Sequence, residues 1–176
     1  YIFMGEHYGY SPVIHRRFIA LRECTLVIVD YLFGDTKKHE YTLHWLVDDL
    51  ALRGNEWGAM IRIEGQKVSL KTGCSHEASA TWVRADEKNK RGWQSLYYGE
   101  KLPAWSYQMN VSSSEPALFV TMLKPASDNE LLTPLSYDDV NSILEDWGVG
   151  SLDYILAYSS DSAENGDRGV TGKGRQ

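Results

Sequence analysis

The chain has 176 residues, 43% of them hydrophobic, 12% aromatic and 24% charged, with a formal net charge of −6. That length suits one domain, or one domain with a tail, and buries roughly 68–70% of its extended surface without metal or disulfide staples. Six Trp and eleven Tyr exclude low-complexity disorder for most of the chain. No run of about 18 apolar residues exists, so no membrane-spanning helix is expected, and the acidic balance argues against nucleic acid as a partner.

The opening Tyr1-Ile2-Phe3-Met4 lacks an initiator Met, and both ends read as cuts through a longer polypeptide. His15 to Arg22 mixes polar and apolar residues as a half-exposed strand does. Cys24 to Phe33 is nearly continuous Leu, Val, Ile and Tyr, the composition of a central strand. A charged turn follows at 34–38, and His39 to Val47 alternates again, which predicts an antiparallel hairpin of these two strands. Gly58–Glu64 and Lys67–Leu70, joined at Gly65-Gln66, predict a second hairpin. Ser79–Arg84, Gly92–Tyr98, Trp105–Val111 and Ala117–Leu123 read as further strands. Short strands with polar turns predict an all-β fold, an antiparallel β-sandwich over residues 1–133.

Beyond Pro134 the periodicity changes. Ser136 opens a capping-box-like start, Val140, Ile143, Leu144 and Trp147 fall at helical spacing, and Gly148 supplies a stop. One short C-terminal helix is expected there, with Leu152–Tyr158 as a last strand. Residues 134–158 are expected to pack on the sandwich, and 159–176 reads as a flexible tail.

Chemistry-bearing motifs are sparse. HExxH, CxxC, GxSxG and glycine-rich phosphate loops are all missing, and two cysteines, Cys24 and Cys74, leave a disulfide, free thiols or neither open. His39 and His44 lie five apart on one strand and point to opposite faces. His44 reads as a partly buried sheet histidine with a satisfied hydrogen bond. No catalytic residue, metal ligand or cofactor is assigned. Asp30, inside an apolar strand, requires a partner, and Arg16 or Arg17 on an adjacent strand is the expected one. Those two arginines face opposite ways, so one is free for an anionic sugar or phosphate. Lys88, Lys90, Arg91, Trp93, Tyr97 and Tyr98 form a cluster of cations and flat rings suited to an acidic sugar. The candidate substrate-binding residues are Arg91, Trp93, Tyr97, Tyr98 and Arg16.

Three ordered segments resemble a known family. They are His15-Arg16-Arg17 followed by Val29-Asp30-Tyr31-Leu32-Phe33-Gly34, His39 and Leu43-His44; then Arg91 to Ala104; then Phe119 to Pro125. Together they resemble the carboxyl-terminal β-sandwich of heparinase II/III-like polysaccharide lyases. The resemblance implies a parent enzyme with an amino-terminal α/α toroid, acting by β-elimination on uronic-acid polysaccharides in the periplasm or outside the cell. The family's D-H-x-H and H-N motifs are missing here, so no catalytic residue or metal ligand carries over. The expected role is a segment supporting the substrate cleft, inactive alone, with an acidic polysaccharide as partner through the parent enzyme. The alternative is a stand-alone carbohydrate-binding or interaction module. An unpaired sheet edge is also expected, covered by the C-terminal helix or used as a homodimer or domain interface.

Overall fold

The computed structural model describes residues 1–127 and 129–157, so the expected tail from 159 lies outside the described residues. In chain order the strands are β1 (Ile2–Tyr10), β2 (Val13–Arg22), β3 (Thr25–Phe33), β4 (His39–Asp48), β5 (Ala51–Asn55) and β6 (Gly58–Ile63). They continue with β7 (Gln66–Cys74), β8 (Ala78–Arg84), β9 (Trp93–Gln94), β10 (Leu102–Ser113) and β11 (Ala117–Pro125), before helices α1 (Tyr137–Asp146) and α2 (Leu152–Ala157). Seven strands form one antiparallel sheet in the order β1-β2-β3-β11-β7-β6-β5. A smaller sheet, β4-β10-β8 with β9 attached to β10, packs on one face of it. The fold is an all-β sandwich with helices on the other face of the large sheet.

Period-two alternation explains the layering. On β3, Val27 and Val29 point to the helices, whereas Ile28 and Asp30 point to the opposite side, and all four are buried. The small sheet contributes Tyr41, Leu43, Tyr107 and Met109 to the core between the sheets. Tyr107 bridges the layers: its hydroxyl meets Thr72 Oγ1 at 2.7 Å and donates to the Glu56 carbonyl at 2.8 Å. Burial pushes its pKa up to about 12, so it remains a neutral donor.

The helical layer forms for local reasons. Ser136 Oγ accepts from Asp139 N at 3.1 Å, and Asp139 accepts from Ser136 N at 3.0 Å, the reciprocal cap that the sequence predicts. Val140 and Leu144 then bury against Phe18, Val29 and Val120 of the large sheet. Each such side chain contributes roughly 1.5–3 kcal/mol. The segment leading into α1 runs close over β7. A Cβ on Gly73 would lie 1.9 Å from the Leu135 carbonyl, so glycine is required for that approach.

Four expectations are corrected. β3 and β4 make no hairpin: β2 and β11 occupy both edges of β3, and the chain after Gly34 crosses to the small sheet. Leu152–Ala157 is a helix, because Leu152 and Ile155 at helical spacing bury together beneath the sheet. Only Trp93 and Gln94 of the 92–98 strand pair with a neighbour, and Ser95–Tyr98 is exposed loop. The helices cover a face of the large sheet rather than its edge, and among the described residues β1 pairs only with β2. Strands β1 and β5 lacked a clear alternating signal. Both cysteines are free thiols.

Candidate functional site

Adjacent arginines on β2 leave the sheet on opposite sides. Arg16, 7% exposed, points toward the helices. Its Nε and Nη2 donate to Glu6 Oε1 at 2.8 and 2.6 Å, its Nη1 donates to the Leu156 carbonyl, and its guanidinium lies over the Phe33 ring. Hydrogen bonds from Tyr8 and Arg16 hold the Glu6 carboxyl below its usual range despite desolvation. Arg16 therefore ties β1 and β2 to α2, on the far side of the sandwich from Arg91.

Arg17 faces the other way, toward Asp30. Asp30 Oδ1 accepts from Arg17 Nε at 2.6 Å and from His15 Nε2 at 2.7 Å. A carboxylate only accepts, so the His15 proton sits on Nε2. Burial pushes the Asp30 pKa up, but the hydrogen bonds from His15 and Arg17 outweigh it and hold the carboxyl ionised. The expected arginine partner is thus Arg17, and His15 joins it. Among the described residues, His15 Nδ1, the terminal nitrogens of Arg17 and the Tyr10 hydroxyl have no hydrogen-bond partner.

These groups line a groove of about 480 Å³, with β2 and β3 as floor and β4 as wall. β4 is an edge strand that, among the described residues, pairs only with β10, so its outer backbone groups border the groove. A second histidine–aspartate pair stands on that wall: His39 Nε2 meets Asp35 Oδ1 at 2.6 Å. That hydrogen bond lowers the Asp35 pKa. Tyr10 packs beside the rings of His7 and His15. Chemically, the groove offers the terminal N–H donors of Arg17, the Nδ1 acceptor of His15 and the Tyr10 hydroxyl, with Arg17 and His15 oriented by the buried Asp30 carboxylate. Sequence reasoning missed it because His15 and Asp30 are fifteen residues apart and meet only through the β2–β3 register. The usable signal was a lone aspartate in an apolar strand beside a His-x-Arg alternation.

The second region is the loop between β8 and β10. Asp86 caps its turn by accepting from Lys88 N and Asn89 N, which brings Arg91 back beside it. Arg91 lies on the outer face of the small sheet, donating to Thr81 and Ser106 over 3.2–3.3 Å. Desolvation lowers its pKa. His44, also on that outer face, bonds Ser106 Oγ at 2.8 Å, and desolvation followed by the Arg91 charge lowers its pKa. His44 has its hydrogen bond as expected but is exposed rather than partly buried. Trp93 is half-buried, with Lys101 Nζ 3.9 Å from its ring centroid and its own buried Nε1 without a hydrogen-bond partner among the described residues. Tyr97 and Tyr98 are exposed, 71% and 108%. The structure thus brings Arg91, His44 and Ser106 together, stacks Lys101 on Trp93, leaves Tyr97 and Tyr98 in solvent, and places Arg16 elsewhere. Among the described residues no cluster of three or more His, Cys, Asp or Glu is arranged to hold a metal.

No family model matches the chain, and no curated protein matches it. Solved structures do. One is a heparinase III with methylated lysines, at a TM-score of 0.60 and 19% identity over 71% of this chain and 19% of that chain. Another is a mutant of the heparan sulfate lyase HepC from Pedobacter heparinus, at a TM-score of 0.60 and 12% identity over 74% of this chain and 20% of that chain. At these identities the likeness establishes the fold. The chain spans about one-fifth of the length of these structures.

Proposed function

We propose that this chain is the β-sandwich segment of a heparinase II/III-like polysaccharide lyase and that it supports the substrate cleft without catalysing elimination alone. Its parent enzyme would add a toroid domain and act on an acidic, uronate-containing polysaccharide in the periplasm or outside the cell. The observation that carries the reading is the groove beside β4, where Asp30 holds His15 and Arg17 in place while the terminal N–H donors of Arg17 and the Tyr10 hydroxyl have no hydrogen-bond partner among the described residues. Sugar carboxylates, sulfates and hydroxyls need such donors, and pre-set geometry lowers the ordering cost of binding. Arg91, Trp93, Tyr97 and Tyr98 would contribute a cation and rings at a second contact. The likeness in fold to two lyases supports the same reading.

Calorimetric titration with heparan sulfate and alginate oligosaccharides tests binding, and ultraviolet absorbance of an unsaturated uronate product tests catalysis. Binding without product is the expected pair of results. Product formed by this chain alone, or no binding to any acidic chain, would overturn the proposal.

A further inference from the structure

Strand β2, part of the groove floor, is bordered on the side away from β3 by β1. From Ile2 to His7 the two strands run in unbroken antiparallel register, which puts Gly5 directly across from Arg17 and His7 across from His15. Paired residues share a face, so Phe3, Gly5 and His7 stand on the same side as Arg17 and His15. Phe3 pairs with Ile19, yet its ring leans along β1 and lies over Gly5. A Cβ on Gly5 would meet the tip of that ring at 3.0 Å. His7 lies over Gly9 in the same way and packs edge-on against Tyr10. A ring therefore stands at each end of the Arg17–His15 pair, on backbone positions about 14 Å apart along the strand.

The Phe3 ring has a structural use, since an aromatic side chain laid over a glycine of an edge strand shields exposed backbone. That accounts for its direction. It does not account for its exposure: Phe3 is 59% exposed and belongs to no hydrophobic cluster among the described residues. Across from the covered glycine, Arg17 spends only Nε on Asp30, and its half-exposed side chain keeps the terminal N–H donors without a partner among the described residues. A flat apolar face beside a forked cation matches an acidic pyranose, which has a C–H face and carries its carboxylate or sulfate at the ring edge. A protein strand added to β1 would use the backbone groups of the edge instead, leaving the ring face and the Arg17 donors unused.

We propose that Phe3, lying over Gly5 and next to Arg17, forms an outer subsite of the groove for one uronate or sulfated pyranose of an acidic polysaccharide. The sugar stacks on the Phe3 ring, and its anionic group accepts hydrogen bonds from the terminal nitrogens of Arg17. This inference rests on the polysaccharide reading above and adds a position beyond the groove lining, with Gly5 supplying the space in which the ring lies flat. A bound chain then runs along β2 from Tyr10 past His15 and Arg17 to Phe3.

The test uses the full chain with heparan sulfate and alginate hexasaccharides and a neutral glucan hexasaccharide, read by calorimetry and thermal unfolding. Phe3→Ala is expected to lower affinity for the acidic ligand about fivefold, the loss of one apolar ring face, with a melting temperature close to wild type. Gly5→Val alters no polar side chain but pushes the ring off the backbone, and it is expected to lower affinity by a similar factor. Phe3→Trp, which keeps a flat ring, is expected to retain binding. Undiminished affinity in Phe3→Ala, or a loss in Phe3→Trp as large as in Phe3→Ala, overturns the subsite, and the lyase reading survives if Tyr10→Ala still weakens binding. Equal affinity of the wild type for the neutral glucan overturns the part given to Arg17. A wild-type dimer that Phe3→Ala dissociates assigns the ring to a second copy and overturns the subsite too. No binding of any acidic chain to the wild type overturns both this proposal and the function it rests on.

Discussion

Beside β4, one buried carboxylate oxygen holds a part-buried histidine and a half-exposed arginine. Between β8 and β10, by contrast, Lys101 covers Trp93 while Tyr97 and Tyr98 project from an exposed loop. Both regions put polar side chains beside aromatic rings, His15 beside Tyr10 in the groove and Lys101 over Trp93 in the loop. In the groove the binding groups are also structural, because Asp30 depends on them for its charge. In the loop the outermost rings have no role in the core. Loss of a groove residue bonded to Asp30 should therefore disturb folding and binding together, whereas loss of an exposed rim or loop-tip residue should disturb binding alone.

The largest expected effect is at the shared carboxylate. Asp30→Ala leaves His15 and Arg17 without their acceptor and is expected to cost about 1–3 kcal/mol in urea unfolding, because Arg17 is half-exposed and regains water. A cost near zero would show that the groove is not held by this pair. Acid titration sharpens the same point. The folded Asp30 titrates below its ordinary value of 3.8, so the unfolded chain takes up more protons as pH falls from about 4. The pair's stabilisation is complete above that pH and disappears as pH drops through the folded value. Asp30→Asn should flatten this acid limb.

Arg91 tests whether the loop is uniform. Its guanidinium makes hydrogen bonds to Thr81 and Ser106, so Arg91→Ala is expected to lose about 1–2 kcal/mol along with some polysaccharide affinity. Tyr10→Ala, at an exposed ring on the groove rim, is expected to weaken oligosaccharide binding about fivefold, with a melting temperature close to wild type. The smallest effect on stability belongs to Tyr98→Ala, which should leave the unfolding midpoint unchanged and lower affinity only slightly. A shift in the midpoint there would place the loop tip in the core and erase the contrast between the regions.

Strand identity was legible where alternation was strong. The β6–β7 hairpin, the buried β3 and the cap at Ser136 all follow from local spacing. The opposite orientation of Arg16 and Arg17 was legible as well, since it needs only the period of two. Their separate fates were not. Which arginine meets Asp30, and which meets Glu6 and the Leu156 carbonyl, depends on the sheet face that the helices cover. The β3–β4 turn misled for a related reason. A short polar turn fits a hairpin, but both edges of β3 were taken by strands distant in sequence.

The sequence by itself determined that this chain builds alternating strands and one capped amphipathic helix, because side-chain direction and capping are decided within a few residues. The tertiary structure alone decided the sheet order and the groove beside β4. Register brings together residues many positions apart, and no local pattern records which strand becomes whose neighbour.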